Sequence, residues 1–326
     1  MTNTSLSTPI IGRFMQHIDP PIASAFACIA ALLFIGSLYS SNFLSPEYLL
    51  QQLKVASFLG VIATGVMVVV LIGQIDLSIP WVATVGGMMA AGATAWGQWG
   101  DLLAIPFGIS CGVILGLING FGVAFLRIPS MIVTLAVNTL AQGLMVVNTG
   151  GFAPPDAASP AMRFMAAGHS LFGIPNALWI WAIVGGIAVF VLTKTTFGRS
   201  IYAIGNSERA VYLSGVNTRF VIMVVFAVSG GLAAFGGILL TGYASKAAQS
   251  MGDAYMLPAI AAVVLGGTSI LGGKGKYLGT VAGVIFITLL ASILSVMQMQ
   301  EYARHLIYGV VIVVMLLLYG RESRPR

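Results

Sequence analysis

The sequence predicts an all-α fold, a polytopic transmembrane helical bundle of about ten spans that forms a single domain over residues 1–326. Of these residues, 58% are hydrophobic and only 7% are charged. Soluble domains carry about 25% charged residues, because water must wet their surfaces. The apolar residues also recur in runs close to the roughly 20 residues that a helix needs to cross the hydrocarbon core. These observations exclude a soluble globular chain.

The apolar runs define the elements in chain order. The fourth span is long enough to tilt, the eighth is short, and residues 73–80 could instead form a re-entrant turn. The longest outside segment, residues 150–175, contains several prolines and glycines, which exclude a regular helix through much of it. The ten predicted spans are residues 21–42, 55–73, 79–97, 102–126, 130–149, 176–193, 220–241, 257–272, 276–297 and 303–320.

Basic residues predict the orientation of the spans. With the N-terminus in the cytoplasm, all but four of the 15 Lys and Arg residues lie inside; the exceptions are Lys54, Arg163, Lys246 and Arg304. Cytoplasmic segments of membrane proteins carry such an excess. Both termini, including a tail over residues 1–20, are therefore expected in the cytoplasm. The same bias explains the net charge of +6 better than nucleic-acid binding, which requires Lys and Arg clustered on one face.

Glycines at a strict spacing of four mark the fourth span. Gly108, Gly112, Gly116 and Gly120 share one helix face. A face without side chains allows a neighbouring helix to approach backbone to backbone. We expect this face to pack inside the bundle.

Polar side chains at the same spacing mark the fifth span. Thr134, Asn138 and Gln142 share one face, and Asn119 lies on the fourth span. Polar groups at membrane depth face another helix or a cavity. These side chains could join helices by hydrogen bonds worth roughly 0.6–2 kcal/mol each, or they could line the transport pathway and bond to a polar solute. The sequence leaves both interpretations open.

A short polar motif, GQIDLSIP at residues 73–80, ends the second span. Pro80 suits the first turn of a new helix, and Asp76 or Ser78 could cap its N-terminus beside water. Gly73 precedes the break. We expect these residues to have a structural role.

A second motif, GGTSILGGKG at residues 266–275, is rich in glycine. It lacks the GxxxxGK[ST] pattern of a phosphate-binding loop. We expect Gly266, Gly267, Gly272 and Gly273 to form a tight cytoplasmic turn between the eighth and ninth spans.

The most polar stretch, residues 194–219, holds five of the 24 charged residues (15 Lys and Arg, 9 Asp and Glu). Asn206 or Ser207 can cap a short helix, Glu208 lies at the positive end of its dipole, and Gly215 can end it with positive φ. A helix of about two turns is not stable alone in water, so flanking spans or another protein must hold it. An ordinary connecting loop with a helical turn is the alternative.

Three motifs together resemble those of the permease subunits of bacterial sugar ATP-binding-cassette (ABC) importers, the ribose, galactose and xylose type of the branched-chain amino acid/sugar permease superfamily. They are GQIDLS at residues 73–78, GGTSILGGKG at 266–275, and RAVYLSG at 209–215 preceded by Gly205-Asn206. The family usually has EAARLSG at the last of these and GGIDLSVG at the first. The similarity covers residues 45 to 320.

The resemblance implies a permease without enzymatic activity, in the bacterial inner membrane, that carries a small polar solute, a monosaccharide or related carbohydrate, into the cytoplasm. It implies three partners: an ABC ATPase that binds ATP and Mg, a periplasmic solute-binding protein, and a second permease copy or sister subunit. No cofactor is expected in this chain. A related permease could instead carry branched-chain amino acids. The implied contacts with the ATPase are Asn206, Glu208, Arg209, Ala210, Leu213, Ser214 and Gly215.

Two other functions find less support in the residues. An ion-coupled secondary transporter normally needs a carboxylate or His within the membrane, whereas every Asp and Glu falls at a span end or in a loop. An intramembrane hydrolase needs a nucleophile and a base, yet no HExxH is present, and the one His within a predicted span, His305, lies at the outer end of that span. No catalytic residue is predicted, and the three histidines are too far apart in sequence to suggest a metal site.

Overall fold

The computed structural model describes residues 20–152 and 157–319 of the chain. This part forms twelve α-helices, two short 3₁₀-helices (Ser41–Leu44 and Thr94–Trp96) and no β-strand, so the predicted all-α class is confirmed. The helices are α1 (Pro20–Tyr39), α2 (Pro46–Leu71), α3 (Ile79–Ala93), α4 (Gln98–Ala124), α5 (Ser130–Thr149), α6 (Pro160–Ala167), α7 (Asn176–Lys194), α8 (Thr196–Leu213), α9 (Thr218–Ala244), α10 (Asp253–Leu265), α11 (Tyr277–Val296) and α12 (Glu301–Tyr319).

Six of the described helices, α2, α4, α5, α7, α9 and α11, are long and apolar enough to cross a membrane. A helix also lies in each of the other four predicted segments: α1, α3, α10 and α12. Of these, α3 has 15 residues, about 22 Å at 1.5 Å per residue, which is less than the roughly 30 Å of hydrocarbon. The count of ten spans therefore stays a prediction. So does the cytoplasmic placement of the termini, because residues 1–19 and 320–326 lie outside the described part.

Helices α2 and α9 form the centre of the bundle. In the most apolar part of each helix, 89% of α2 and 67% of α9 is buried, against 22% of α4 and 33% of α5. Phe58, Met67 and Phe226 are among the largest side chains that are completely buried. Helices α4 and α5 are peripheral, and many of their apolar side chains point outward.

The glycine face of α4 packs inside the bundle, as predicted. A Cβ atom on Gly112 would lie 2.4 Å from a carbonyl oxygen of α9, and one on Gly116 would lie 2.2 Å from another. Gly108 and Gly120 approach their neighbours about as closely. Because lipid is as apolar as the helices, such close packing, rather than the hydrophobic effect, holds them together.

The eighth predicted span ends earlier in the structure, and the segment before the sixth span contains one short helix. The eighth span was placed at residues 257–272, but α10 ends at Leu265 and is followed by a turn in which Gly267 has φ +83°. The outside segment 150–175 contains the short helix α6, which Pro160 begins and Ser159 caps by accepting from the Met162 N–H at 3.2 Å. This helix has eight residues, and the other described residues of the segment are not helical, as predicted.

Candidate functional site

We call the most polar stretch, residues 194–219, the coupling segment, after the ATPase contact that the resemblance implies. Its helix α8 is broken at Ser207 into a longer first arm, residues 196–206, and a short second arm, residues 208–213. Ser207 in α8 has extended backbone angles (φ −165°, ψ 98°). Its Oγ accepts from the Ala210 N–H at 3.3 Å, so Ser207 caps the short second arm as predicted. Asn206, the alternative cap, instead donates to the Tyr202 carbonyl at 2.9 Å. Gly215 has φ +84° and ends the arm, as predicted, whereas the longer first arm was not anticipated.

The second arm is exposed at its tip, which Arg209, Ala210, Leu213 and Ser214 form. Arg209, Ala210 and Ser214 are exposed, and Leu213 is 76% exposed. Tyr212, beside Leu213, is 61% exposed. A cavity of about 500 Å³ lies between the arms and is lined by Thr196, Arg199, Ser200, Ala203, Asn206, Ser207, Ala210, Val211, Ser214 and Val216.

Glu208 points toward the bundle. Its Oε1 accepts from Arg127 Nη1 at 2.7 Å and lies 3.4 Å from the Thr218 hydroxyl at the start of α9. The Arg127–Glu208 contact is a salt bridge. Glu208 therefore joins the coupling segment to the rest of the chain.

The three glycine-containing motifs meet at one place, the glycine junction, formed by Gly73, Gly205, Gly272 and Gly273. A Cβ atom on Gly205 would lie 2.0 Å from the Leu71 carbonyl oxygen and 2.3 Å from the Gly273 nitrogen. The Gly273 N–H donates to the same Leu71 carbonyl at 2.9 Å. At Gly205 the coupling segment thus touches the end of α2 and the loop after α10 backbone to backbone.

The other glycines of that loop are equally constrained. A Cβ atom on Gly266 would lie 2.3 Å from the Gly279 carbonyl carbon in α11. The Tyr202 hydroxyl donates to the Gly275 carbonyl at 2.9 Å, which ties the loop to the first arm of α8. The predicted tight turn therefore packs against the coupling segment.

The broken segment, residues 72–78, lies between α2 and α3 and contains a buried carboxylate. Asp76 is 3% exposed. Its Oδ1 accepts from the Ser78 N–H at 3.0 Å and the Ser78 hydroxyl at 2.6 Å, and its Oδ2 accepts from the Ser229 hydroxyl at 3.0 Å. Asn119 Nδ2 donates to Ser78 Oγ at 2.7 Å. These polar groups replace water around a carboxyl group that forms no salt bridge with a described basic side chain.

Two predictions about this segment are wrong. Asp76 does not lie beside water, and neither Asp76 nor Ser78 caps α3. Ser78 occupies the N-cap position, but its side chain makes no capping hydrogen bond because its hydroxyl is directed to Asp76. Pro80 does lie in the first turn of α3, as predicted.

A polar stripe on α5 (Ser130, Thr134 and Asn138) supports the backbone of the same region. Ser130 Oγ accepts from the Ile75 N–H at 3.3 Å and Thr134 Oγ1 from the Leu77 N–H at 3.0 Å. Asn138 Oδ1 accepts from the Trp81 N–H at 3.3 Å. Each bond satisfies a backbone group that the break leaves without a helical partner.

The residues predicted to line a pathway fall into two groups. Asn119 and Thr134 are completely buried, and Asn138 is partly buried against α3. Gln142 continues the same face of α5 onto the exposed surface. The structure thus brings three of the four together around the broken segment. A lining role for any of them stays a prediction.

Several residues of these networks were missed in the sequence. Ser130 extends the spacing of four by one step toward the N-terminus, a signal that was available. Ser229 and Arg127 carry no comparable signal. Their partners are distant in sequence, so no local pattern reveals them.

Comparisons with known proteins agree with the three motifs. Residues 48–316 match the family described as branched-chain amino acid transport system / permease component. The chain is 36% identical over 309 residues to the ribose import permease protein RbsC of Haemophilus influenzae, covering 94% of each chain. It is 34% identical to RbsC of Bacillus subtilis (95% and 94% covered) and 31% identical to the autoinducer 2 import system permease protein LsrC of Salmonella choleraesuis (95% and 88% covered). No solved structure matches the chain.

Proposed function

The chain belongs to the family of branched-chain amino acid transport system permease components, and from that membership we propose that it is the inner-membrane permease of an ABC importer for a monosaccharide or related carbohydrate. The observation that carries this proposal is its 34–36% identity to ribose import permeases across about 94% of its length. The relative that imports autoinducer 2 makes another small polar solute the second candidate. The ion-coupled and branched-chain amino acid alternatives are not favoured by these relatives.

The energy for import comes from a separate ATPase, and the chain itself is not an enzyme. The exposed tip of the coupling segment, with Arg209, Leu213 and Ser214, supports contact with that ATPase, because these side chains are accessible to a partner. Glu208 contributes by holding the tip to the bundle. A periplasmic binding protein would deliver the solute to the opposite side of the membrane.

A second copy of the chain would complete the pathway. Helices α4 and α5 carry a broad outward apolar face that includes Ile118, Phe121 and Leu135. The exposed Gln142 lies beside this face and would supply a hydrogen bond to a sugar hydroxyl. Weak contacts of this kind suit a pathway, since tight binding would slow release.

Reconstitution tests the function directly. Proteoliposomes containing the chain, its ATPase and its binding protein should accumulate ribose only when ATP can be hydrolysed. A non-hydrolysable ATP analogue is the matched control. Accumulation by the chain alone under an imposed ion gradient would contradict the proposal, as would labelling of a cysteine at position 209 from the periplasmic side.

Cross-linking tests the second copy. In a chain with Cys28 and Cys111 replaced by Ser, we expect Leu135→Cys to form a disulfide between copies. Ile183→Cys on α7 is the control, because Ile183 is also exposed but lies on another face. Cross-linking at position 183 without any at 135 would place the interface elsewhere.

A further inference from the structure

The corner between α4 and α5, residues 125–129, is tied to the coupling segment by two contacts. The salt bridge of 2.7 Å joins Arg127 to Glu208. The guanidinium carbon of Arg219 lies 5.7 Å from the centre of the Phe125 ring, within the range of a cation–π contact. Both contacts connect the second half of the coupling segment to the same short corner.

The backbone of the corner fixes the position of Arg127. Arg127 has φ +58°, a left-handed conformation that residues other than Gly keep only where their surroundings enforce it. The Ile128 N–H donates back to the Gly122 carbonyl at 3.3 Å, and Pro129 leads directly into α5. The two side chains of the ion pair are 53% and 33% exposed, and such pairs add little stability. The ion pair therefore holds the corner and the coupling segment in position rather than adding stability.

Helix α5 connects this corner to the broken segment. Ser130 begins α5 three residues after Arg127, and the polar stripe holds the N–H groups of residues 75, 77 and 81. A helix moves as a stiff element. Displacement of its N-terminal corner would consequently displace all three acceptors of the stripe, and with them the backbone on both sides of Asp76.

We propose that Arg127 is a positioning residue for transport: through α5, it transmits movement of the coupling segment to the broken segment. The proposal rests on the proposed function, because a partner ATPase must move the coupling segment. Movement of the stripe shifts Asp76 and Ser78 against Ser229 of the central helix α9. The ion pair thus determines how much of each ATP-driven movement reaches the buried network.

Charge variants in the reconstituted complex test this route. Arg127→Gln and Glu208→Gln should each lower the solute transported per ATP hydrolysed by roughly 5- to 20-fold, while the ATPase still co-purifies with the permease. Exchange of the two charges (Arg127→Glu with Glu208→Arg) should restore most of the ratio, because the ion pair can form again with its polarity reversed. Lys274→Gln is the matched control. It also removes one positive charge from an exposed side chain, but Lys274 lies next to the glycine junction and not at the corner between α4 and α5.

A covalent link provides the second test. In a chain without Cys28 and Cys111, Arg127→Cys with Glu208→Cys should have the low ratio of the single variants. Joining the two cysteines with a short bismaleimide should raise it again, because the corner and the coupling segment then move together. A ratio that stays low after complete joining would overturn the proposal.

The remaining outcomes are also decisive. Normal ratios in both single charge variants would overturn the role of Arg127, while ATP-dependent uptake by the unmodified complex would still support the proposed function. Failure of the unmodified complex to take up solute would overturn the proposed function itself. Loss of the ATPase from the Glu208 variants alone would show that Glu208 contacts the ATPase, and would likewise overturn this route.

Discussion

The coupling segment and the broken segment both interrupt apolar helices, but different interactions stabilise them. In the coupling segment the bonds that cap the helices are local: Ser207 Oγ accepts from the Ala210 N–H, and Asn217 Oδ1 accepts from the Phe220 N–H at 3.1 Å. In the broken segment the partners are distant, and Ser229 is 153 residues from Asp76. Water can satisfy an exposed backbone, whereas a buried break in a membrane protein must be satisfied by the protein.

This difference predicts how each region responds to mutation. Exposed local caps can be lost with small effects on the fold, since water replaces the missing partner. A buried network loses a bond that nothing replaces, and the unpaired group then costs the full penalty of desolvation. Changes in the broken segment should therefore alter stability first, and changes at the tip of the coupling segment should alter transport first.

The largest effect is expected where the two regions meet. Gly205→Ala places a methyl group 2.0 Å from the Leu71 carbonyl oxygen, and because backbone lies on both sides, overpacking should cost about 3 kcal/mol or more. We expect a sharp fall in the folded, monodisperse fraction after extraction in detergent. Gly186→Ala on α7 is the control, since no atom lies within 4 Å of its Cβ position. Equal yields for the two variants would show that the glycine junction is not a close contact.

The contrast between the two regions also explains what the sequence could predict. The Ser207 cap and the Gly215 end are local signals, and both were predicted. The glycine face of α4 was predicted too, because a spacing of four is visible without knowing the partner. Burial of Asp76 was not predicted, since it depends on α5 and α9 packing around residues 72–78.

In the candidate site, too, only the features with a local signal in the sequence could be predicted. The spacing that marks Thr134 and Asn138 indicates a polar face, but not whether that face meets a solute or a backbone. Only the packing of α5 against the broken segment shows that these side chains accept from N–H groups. Arg127 likewise pairs with a residue 81 positions away, which no periodicity within one helix can reveal.

The next largest effect is expected at the carboxylate of the broken segment. Asp76 accepts three hydrogen bonds through two oxygens, and Asn has only one side-chain oxygen. Asp76→Asn should leave at least one donor facing an NH₂ group, at a cost of about 1–3 kcal/mol. We expect a lower unfolding temperature in detergent.

The control for Asp76 is Asp101→Asn, which removes an exposed carboxylate from the first turn of α4. It should change the unfolding temperature little, because surface substitutions usually remain within about 0.5 kcal/mol. If Asp76→Asn proved as mild as this control, the three hydrogen bonds would not be what holds the broken segment.

The smallest effect on stability, and the finest distinction, is expected along one face of α5. Asn138→Ala removes the acceptor for the Trp81 N–H and should cost about 1 kcal/mol, whereas Gln142→Ala on the exposed surface should change stability by less than about 0.5 kcal/mol. Unfolding temperatures and ATP-dependent uptake would be measured for both variants. If Gln142 lines the pathway, its variant should keep its unfolding temperature and transport poorly, while the Asn138 variant should have a lower unfolding temperature. Full transport by Gln142→Ala would confine the function of this face to supporting the broken segment.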